Sequence, residues 1–310
     1  MSAHIPVMLN EVMTSLAPKA GHAYVDGTFG RGGYSRAILD SCDCTLHAID
    51  RDPDAVACGR KMEAEYGGRF TIHQGRFGDM DQLLESGPYD GIVLDIGVSS
   101  PQINEAARGF SFKEDGPLDM RMSQEGQSAA DVINTYSADD IADIFWRYGE
   151  ERKSRWIARA IVEDRGDKPF TRTHQLASLI RRIVPQDKSG IDSATRSFQG
   201  LRIYVNDELG ELERGLKAAT KLLAPGGRLV VVSFHSLEDR IIKLFFKEAA
   251  GKGQSISRHL PMSDETRDVL FTTSSKPVLP SDAEISLNPR ARSAKLRWGV
   301  RTSAPFKEKK

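Results

Sequence analysis

Residues 23–36 read Ala23-Tyr-Val-Asp-Gly-Thr-Phe-Gly-Arg-Gly-Gly-Tyr-Ser-Arg36. An apolar run closes on Asp26, breaks into glycines at 27, 30, 32 and 33, and passes into a helical pattern. Strand, glycine-rich turn and helix in that order let an α/β sheet present backbone N–H groups to a nucleotide-like ligand. A second strand pattern, Thr45 to Ile49, ends at Asp50, 24 positions after Asp26. In the dinucleotide version an acid about 20 residues on reaches the ribose hydroxyls. Asp26, the glycines and Asp50 together predict a site for an adenosyl cofactor.

Strand patterns fall at 23–26, 45–49, 70–73 and 89–94, with helical patterns at Ser35–Leu39 and Pro53–Tyr66 between them. Asp52 reads as a helix cap with Pro53 at the first helical position. This alternation predicts an α/β, doubly wound parallel sheet whose ligands sit outside the carboxyl ends of the strands. It stops after Asp95. Residues 97–127 carry turn signals, and helical periodicity then runs from about Ala129 to Val184. The sheet pattern resumes at Leu229-Val-Val-Val-Ser-Phe. The expectation is therefore a first sheet part at 1–105, a helical insert at 106–198 between the fourth and fifth strands, and a second sheet part at 199–310. Residues 201–223 read as one helix returning to the sheet, 251–283 as a loop or hairpin, and Ser293–Val300 as a final edge strand.

The 310 residues contain 39% apolar and 28% charged side chains, a globular balance, and no apolar run approaches the ~20 residues of a membrane helix. The opening MSAHIPVMLNEVM lacks a signal-peptide pattern, and Cys42, Cys44 and Cys58 are sparse and odd in number. The expectation is a cytoplasmic chain with reduced thiols and no metal site. Net zero charge conceals a split. Residues 1–120 hold 10 Lys/Arg against 18 Asp/Glu, and residues 121–310 hold 33 against 25. From Arg147 to Arg182 there are 10 basic and 5 acidic residues, which reads either as a solvated helical face or as steering for a polyanion.

Gly30-Arg-Gly32-Gly-Tyr-Ser35 puts Ser where the third glycine of a NAD fingerprint belongs, and no Gly-x-x-x-x-Gly-Lys-[Ser/Thr] exists. Asp-Gly-x-x-Gly-x-Gly-Gly with an acid ending the next strand fits S-adenosylmethionine better. Glycines 30, 32 and 33 lack Cβ and let backbone come close to a small zwitterionic tail. Further motifs then accumulate: His4-Ile-Pro-Val-Met-Leu, Ala48-Ile-Asp-Arg-Asp-Pro, Leu94-Asp-Ile-Gly-Val-Ser-Ser-Pro-Gln102, Arg108-Gly-Phe-Ser-Phe, Gly116-Pro-Leu-Asp-Met-Arg-Met, Tyr148-Gly-Glu-Glu-Arg, Ser233-Phe-His-Ser-Leu-Glu-Asp-Arg and Asn288-Pro-Arg-Ala-Arg-Ser. With Asp26-Gly-Thr-Phe-Gly-Arg-Gly-Gly, these resemble the bacterial small-subunit ribosomal RNA cytosine-N4-methyltransferase family, in order and over nearly the whole chain.

The resemblance implies a class I S-adenosylmethionine-dependent enzyme with a Rossmann-like sheet. Its substrate would be 16S rRNA in the small ribosomal subunit, at the exocyclic amine of one decoding-centre cytosine, and the insert would recognise RNA. A homodimer is left open. The cofactor contacts it implies are Gly32, Gly33, Tyr34, Asp50, Phe77, Asp95 and Gln102. Tyr34 stands where some relatives carry His; both donate a hydrogen bond. Asp95, ending the fourth strand, is the first choice for the group that takes the amine proton, with Asp119 and His235 behind it. The Asp/Asn-Pro-Pro-aromatic motif of many amine methyltransferases is absent, and no Cys follows Pro as carbon-5 methylation would require.

Other residues read more plainly. Ser236-x-x-Asp239 looks like a capping box, while His235 reads equally as core or site. Phe110 and Phe112 lean to core over a base-stacking platform, Trp146 and Trp156 read as packing residues, and Arg290 and Arg292 stay open between a surface ion pair and RNA contact. The competing functions are a NAD(P)-linked oxidoreductase on a related sheet and a ribosome assembly factor without catalysis.

Overall fold

Ile92, Val93 and Leu94, and again Leu229 to Val232, are buried without alternation, as strands covered on both faces require. In the computed structural model the described residues are 6–85, 87–186, 190–252, 268–273 and 276–307. The chain divides into two compact units, one running up to Gly97 and resuming at Leu209, the other Val98–Glu208. In chain order the first contains α1 (Leu9–Leu16), β1 (Ala23–Asp26), α2 (Gly33–Ser41), β2 (Thr45–Asp50), α3 (Pro53–Tyr66), β3 (Phe70–Gln74), α4 (Met80–Leu83) and β4 (Tyr89–Asp95). The second contains α5 (Ser100–Asn104), α6 (Ala129–Thr135), α7 (Ala138–Gly149), α8 (Ser154–Asp167), α9 (Thr173–Ile183) and α10 (Thr195–Asn206). The chain then resumes the first unit with α11 (Glu208–Leu222), β5 (Leu223–Ser233), α12 (Ser236–Ala249), β6 (Phe271–Thr273), α13 (Asp282–Leu287) and β7 (Lys295–Arg301).

The seven strands run in the order β3-β2-β1-β4-β5-β7-β6. The first five are mutually parallel, while β7 is antiparallel to β5 and to β6. Strand order reverses between β1 and β4, the switch point at which such sheets bind ligands. One face buries Tyr24, Leu46 and Val93 with Val12, Leu16, Ile38 and Met62 of the helices. The other buries Val25, Ile49, Ile92 and Leu94 with Leu212, Leu216, Ile242 and Phe246. Helix α3 starts as its sequence directs: Asp52 caps it by accepting from the Asp54 N–H at 3.1 Å, and Pro53 follows.

Three expectations are corrected. Residues 201–223 do not form one helix, because Asp207 turns left-handed at φ 50° between α10 and α11. The break is fixed by Asn206, whose side chain accepts from Met122 N–H at 2.9 Å and donates to the Met120 carbonyl at 2.8 Å. The last strand is not an edge, since β6 pairs outside it. Most of the 251–283 reading concerns residues 253–267 and 274–275, which lie outside the described residues, as do His4 and Ile5; Phe271–Thr273 are strand.

The second unit has its own core, in which Ile133, Ile141, Phe145, Ile157, Ile161, Leu176, Ile180 and Leu201 are buried together. The helical insert expected at 106–198 falls inside this unit. Phe110 is buried, and Phe112 packs edge-on to Phe198 with ring centroids 4.7 Å apart. The third correction concerns the tryptophans. Trp146 and Trp156 are 57% and 69% exposed, because Phe145 and Ile157, one position away on each helix, take the inward positions. Among the described residues no helix is long and apolar enough to cross a membrane.

Candidate functional site

Three neighbouring strands, β2, β1 and β4, end in carboxylates: Asp50, Asp26 and Asp95. Asp26 is buried. It accepts from Ser35 Oγ at 2.7 Å and from the Thr28 N–H at 3.2 Å, which ties the first turn of α2 to the end of β1. Burial pushes its carboxyl up to about 6, against the pull of those hydrogen bonds. Ser35, the residue that breaks the NAD fingerprint, is thereby given a structural reason.

Asp50 reaches across to the glycine turn. Its Oδ2 accepts from the Gly30 N–H at 2.7 Å and its Oδ1 from the Asp52 N–H at 2.8 Å. Burial pushes this carboxyl up to about 6 as well, the two backbone donors holding it back. The acid and the turn that the sequence pairs at a distance of 20 residues are thus in direct contact. Each carboxylate oxygen has a further lone pair open to a hydroxyl donor.

The turn itself needs its glycines. Gly32 caps α2 at φ 76°, and a Cβ there would fall 2.8 Å from the Phe29 ring. A Cβ on Gly33 would collide with the Pro6 ring. Both residues are therefore required by packing as well as by any close approach of a ligand. The first N–H groups of α2 have no acceptor within the helix, which leaves a positive helix end beside the turn. Tyr34 is buried, and its hydroxyl donates to the Val7 carbonyl. Its hydrogen-bonding proton is thus already committed within the protein.

Asp95 closes the row. Its N–H donates to Thr28 Oγ1 at 2.6 Å, while the buried Oδ1 has no hydrogen-bond partner among the described residues. Burial, with Asp26 and Glu238 nearby, pushes its carboxyl well above the usual range. Phe77 opens the turn after β3 and is half-buried; its Cβ would lie 3.3 Å from a Cβ on Gly27, and its ring packs where Gly215 of α11 leaves space.

His235 serves as the cap of α12, in place of the Ser236 box expected from sequence. Its Nδ1 accepts from the Glu238 N–H at 3.4 Å, and its Nε2 lies 2.9 Å from Glu238 Oε1. Glu238, fully buried, was not singled out by the sequence reading. Its Oε2 accepts from the N–H groups of Phe234 and His235, at 2.8 and 3.2 Å. The signal for it is the acid three positions after the true cap, one register earlier than Ser236-x-x-Asp239.

Two further candidates belong to the second unit. Gln102 is buried in α5, where its Oε1 accepts from the Ser99 N–H at 2.9 Å and completes a capping box. Asp119 is gripped by Arg121, which donates to Oδ1 from Nε at 2.9 Å and to Oδ2 from a terminal nitrogen at 2.7 Å. Burial alone would raise the Asp119 carboxyl, but the guanidinium and a backbone N–H outweigh it and hold it below the ordinary range. A carboxylate so held is a weak proton acceptor.

Residues 1–302 match the model of the MraW methylase family. The chain is 55% identical to the ribosomal RNA small subunit methyltransferase H of Rhodospirillum rubrum, over 98% of this chain and 96% of that one. It is 57% identical to the protein of the same name from Gluconobacter oxydans, over 98% and 95%. With the Granulibacter bethesdensis protein the identity is 58%, over 95% and 90%.

Proposed function

The chain belongs to the MraW methylase family and uses S-adenosylmethionine, and we propose that it methylates the N4 amine of a decoding-centre cytosine in 16S rRNA. Relatives named for methylating small-subunit ribosomal RNA support the substrate class. The observation that carries the reading is the contact between Asp50 and the glycine turn at the head of the sheet. A carboxylate already fixed by two backbone N–H groups is ready to accept from both ribose hydroxyls without moving. Gly33 and the backbone N–H of Tyr34 would receive the methionine carboxylate at the positive end of α2, while Gly32, whose own N–H donates to the Phe29 carbonyl, shapes the turn. Phe77 would lie against the adenine.

Asp95 fits the remaining need. A buried carboxylate oxygen without a partner is costly unless a bound group satisfies it. When bound, S-adenosylmethionine supplies an electrophilic methyl group on a sulfonium. The cytosine amine is a poor nucleophile because its lone pair is delocalised into the ring. Holding it in line supplies several kcal/mol of the barrier. Transfer of that methyl would leave the bonding pair on the cofactor's sulfur and a positive charge on the amine nitrogen, which then has a proton to lose. Asp95 Oδ1 then takes the proton, for which its raised basicity suits it. A positive charge such as the cofactor's sulfonium would favour the ionised form of this carboxyl, the form that accepts a proton. The helical second unit, rich in arginine, would hold the RNA, which must present the cytosine unstacked.

The test is methylation in vitro of small subunits from a strain lacking the enzyme, read by mass spectrometry of the digested RNA. Methyl on the exocyclic nitrogen of a single cytosine is expected, with Asp95→Asn slower by about 10²–10⁴-fold at unchanged product. Methyl on carbon 5 or on ribose, or no transfer, would overturn the proposal.

A further inference from the structure

Ten basic residues lie between Arg147 and Arg182, and the packing of the second unit sorts them. Arg147 pairs with Asp143, Arg172 with Asp115, Arg181 with Asp192 and Arg182 with Asp164. Lys153 donates to the Ile183 carbonyl, and Arg165 to those of Ile133 and Tyr136. Among the described residues, Arg152, Arg155, Arg159 and Lys168 are left with neither an ion pair nor a side-chain hydrogen bond to a carbonyl.

Three of these four lie in or just before α8. Arg155, Trp156 and Arg159 form a stripe on the helix, Arg159 following the other two by four and three positions, the spacing of a single face, and Arg152 stands in the turn two residues before the helix begins. All four side chains are exposed, the indole by 69%. The opposite face of α8 carries the packing, through Ile157, Ala158 and Ile161.

Helix stability does not account for the stripe. Cations at an N-terminal end oppose the helix dipole, and α8 has no acid in its first turn and no side-chain cap. A single exposed apolar side chain is ordinary; an indole flanked on its own helix face by two unpaired guanidinium groups, with a third in the turn before the helix, is a different arrangement. Arginines neutralise phosphates, and a flat aromatic face stacks on an unpaired base whatever its identity.

We propose that Arg152, Arg155, Trp156 and Arg159 form a docking surface for single-stranded RNA, with the arginines on phosphates and Trp156 stacked on an unpaired base. The inference rests on the RNA-methylating function above and adds the surface, outside the cofactor site, that holds the strand.

The test uses the full chain and a labelled single-stranded oligouridylate. In a Trp146→Phe/Trp298→Phe background Trp156 is the sole tryptophan, and RNA is expected to quench its emission. By fluorescence anisotropy, Trp156→Ala and Arg155→Glu/Arg159→Glu should each weaken binding about tenfold. Affinity for S-adenosylmethionine by calorimetry and the melting midpoint should hold. Wild-type RNA affinity in both variants would overturn the docking surface. So would loss of a dimer in Trp156→Ala, seen by sedimentation, with RNA affinity intact, because the face would then serve a second copy. If wild type methylates rRNA while the variants bind RNA normally, the docking surface alone fails. If wild type transfers no methyl, the proposed function fails with it.

Discussion

Asp50 holds its charge where burial opposes it, and two backbone N–H groups reduce that opposition without removing it. Its carboxyl therefore sits at about 6, and the sign of its linkage to the cofactor follows. Ribose hydroxyls donate to the ionised carboxylate, so binding favours the deprotonated form and lowers the pKa in the complex. Affinity is complete above about 6 and is lost as pH falls through that value. Calorimetry should find S-adenosylmethionine bound about tenfold more weakly at about pH 5 than at about pH 7.5. Asp50→Asn should bind weakly at both and flatten the profile, which separates Asp50 from Asp26 with its similar carboxyl. A flat wild-type profile would remove Asp50 from the cofactor. Tyr34 shows the limit of reading single residues. Its hydroxyl is taken by Val7, 27 positions upstream, and nothing local in the sequence signals that partner.

Elements were legible where their signals are local. Asp52 followed by Pro53 marks the start of α3, and the glycines after Asp26 mark the turn into α2. What the sequence did not disclose depends on distant partners. The interior position of β7 is set by pairing with β6. The break between α10 and α11 is set by Asn206 bonding to residues 84 and 86 positions away. The sequence places the start of α12 one register late, because Ser236 looks a better cap than His235. The true box places Glu238 beneath the end of β5, where it satisfies two backbone donors. Removing it orphans both, at about 1–3 kcal/mol for each buried group, whereas Gln keeps one acceptor oxygen. Glu238→Ala should thus lower the stability of the first unit by about 2–4 kcal/mol and Glu238→Gln by about 1. Denaturant unfolding can be followed by Trp298, the one tryptophan outside the second unit, in a Trp146→Phe/Trp156→Phe background. Equal costs for Ala and Gln would show that the cap is not what Glu238 supplies.

Over the whole molecule the formal charge cancels, yet residues 1–120 carry a net −8 and residues 121–310 a net +8, from 10 against 18 and 33 against 25. Attraction for RNA therefore cannot come from total charge and has to come from local cations that the fold leaves unpaired. Ion pairs and hydrogen bonds to carbonyls within the second unit reduce ten candidate cations to four, so the expected number of phosphate contacts is small. Single-stranded binding loses affinity with salt at a log–log slope of about −0.7 for each phosphate neutralised. With Arg152, Arg155 and Arg159 engaged, the slope for oligouridylate should be about −2, and Arg155→Ala/Arg159→Ala should shorten it by about 1.4. Binding of S-adenosylmethionine, seated on hydrogen bonds and one helix end, should change little over the same salt range. A steep RNA slope of about −7 would mean that the whole basic segment is engaged and that its ion pairs open on binding. A slope near zero would mean that stacking alone holds the strand. Titration at three or more salt concentrations separates these outcomes, because counterion release counts contacts independently of which bases are present.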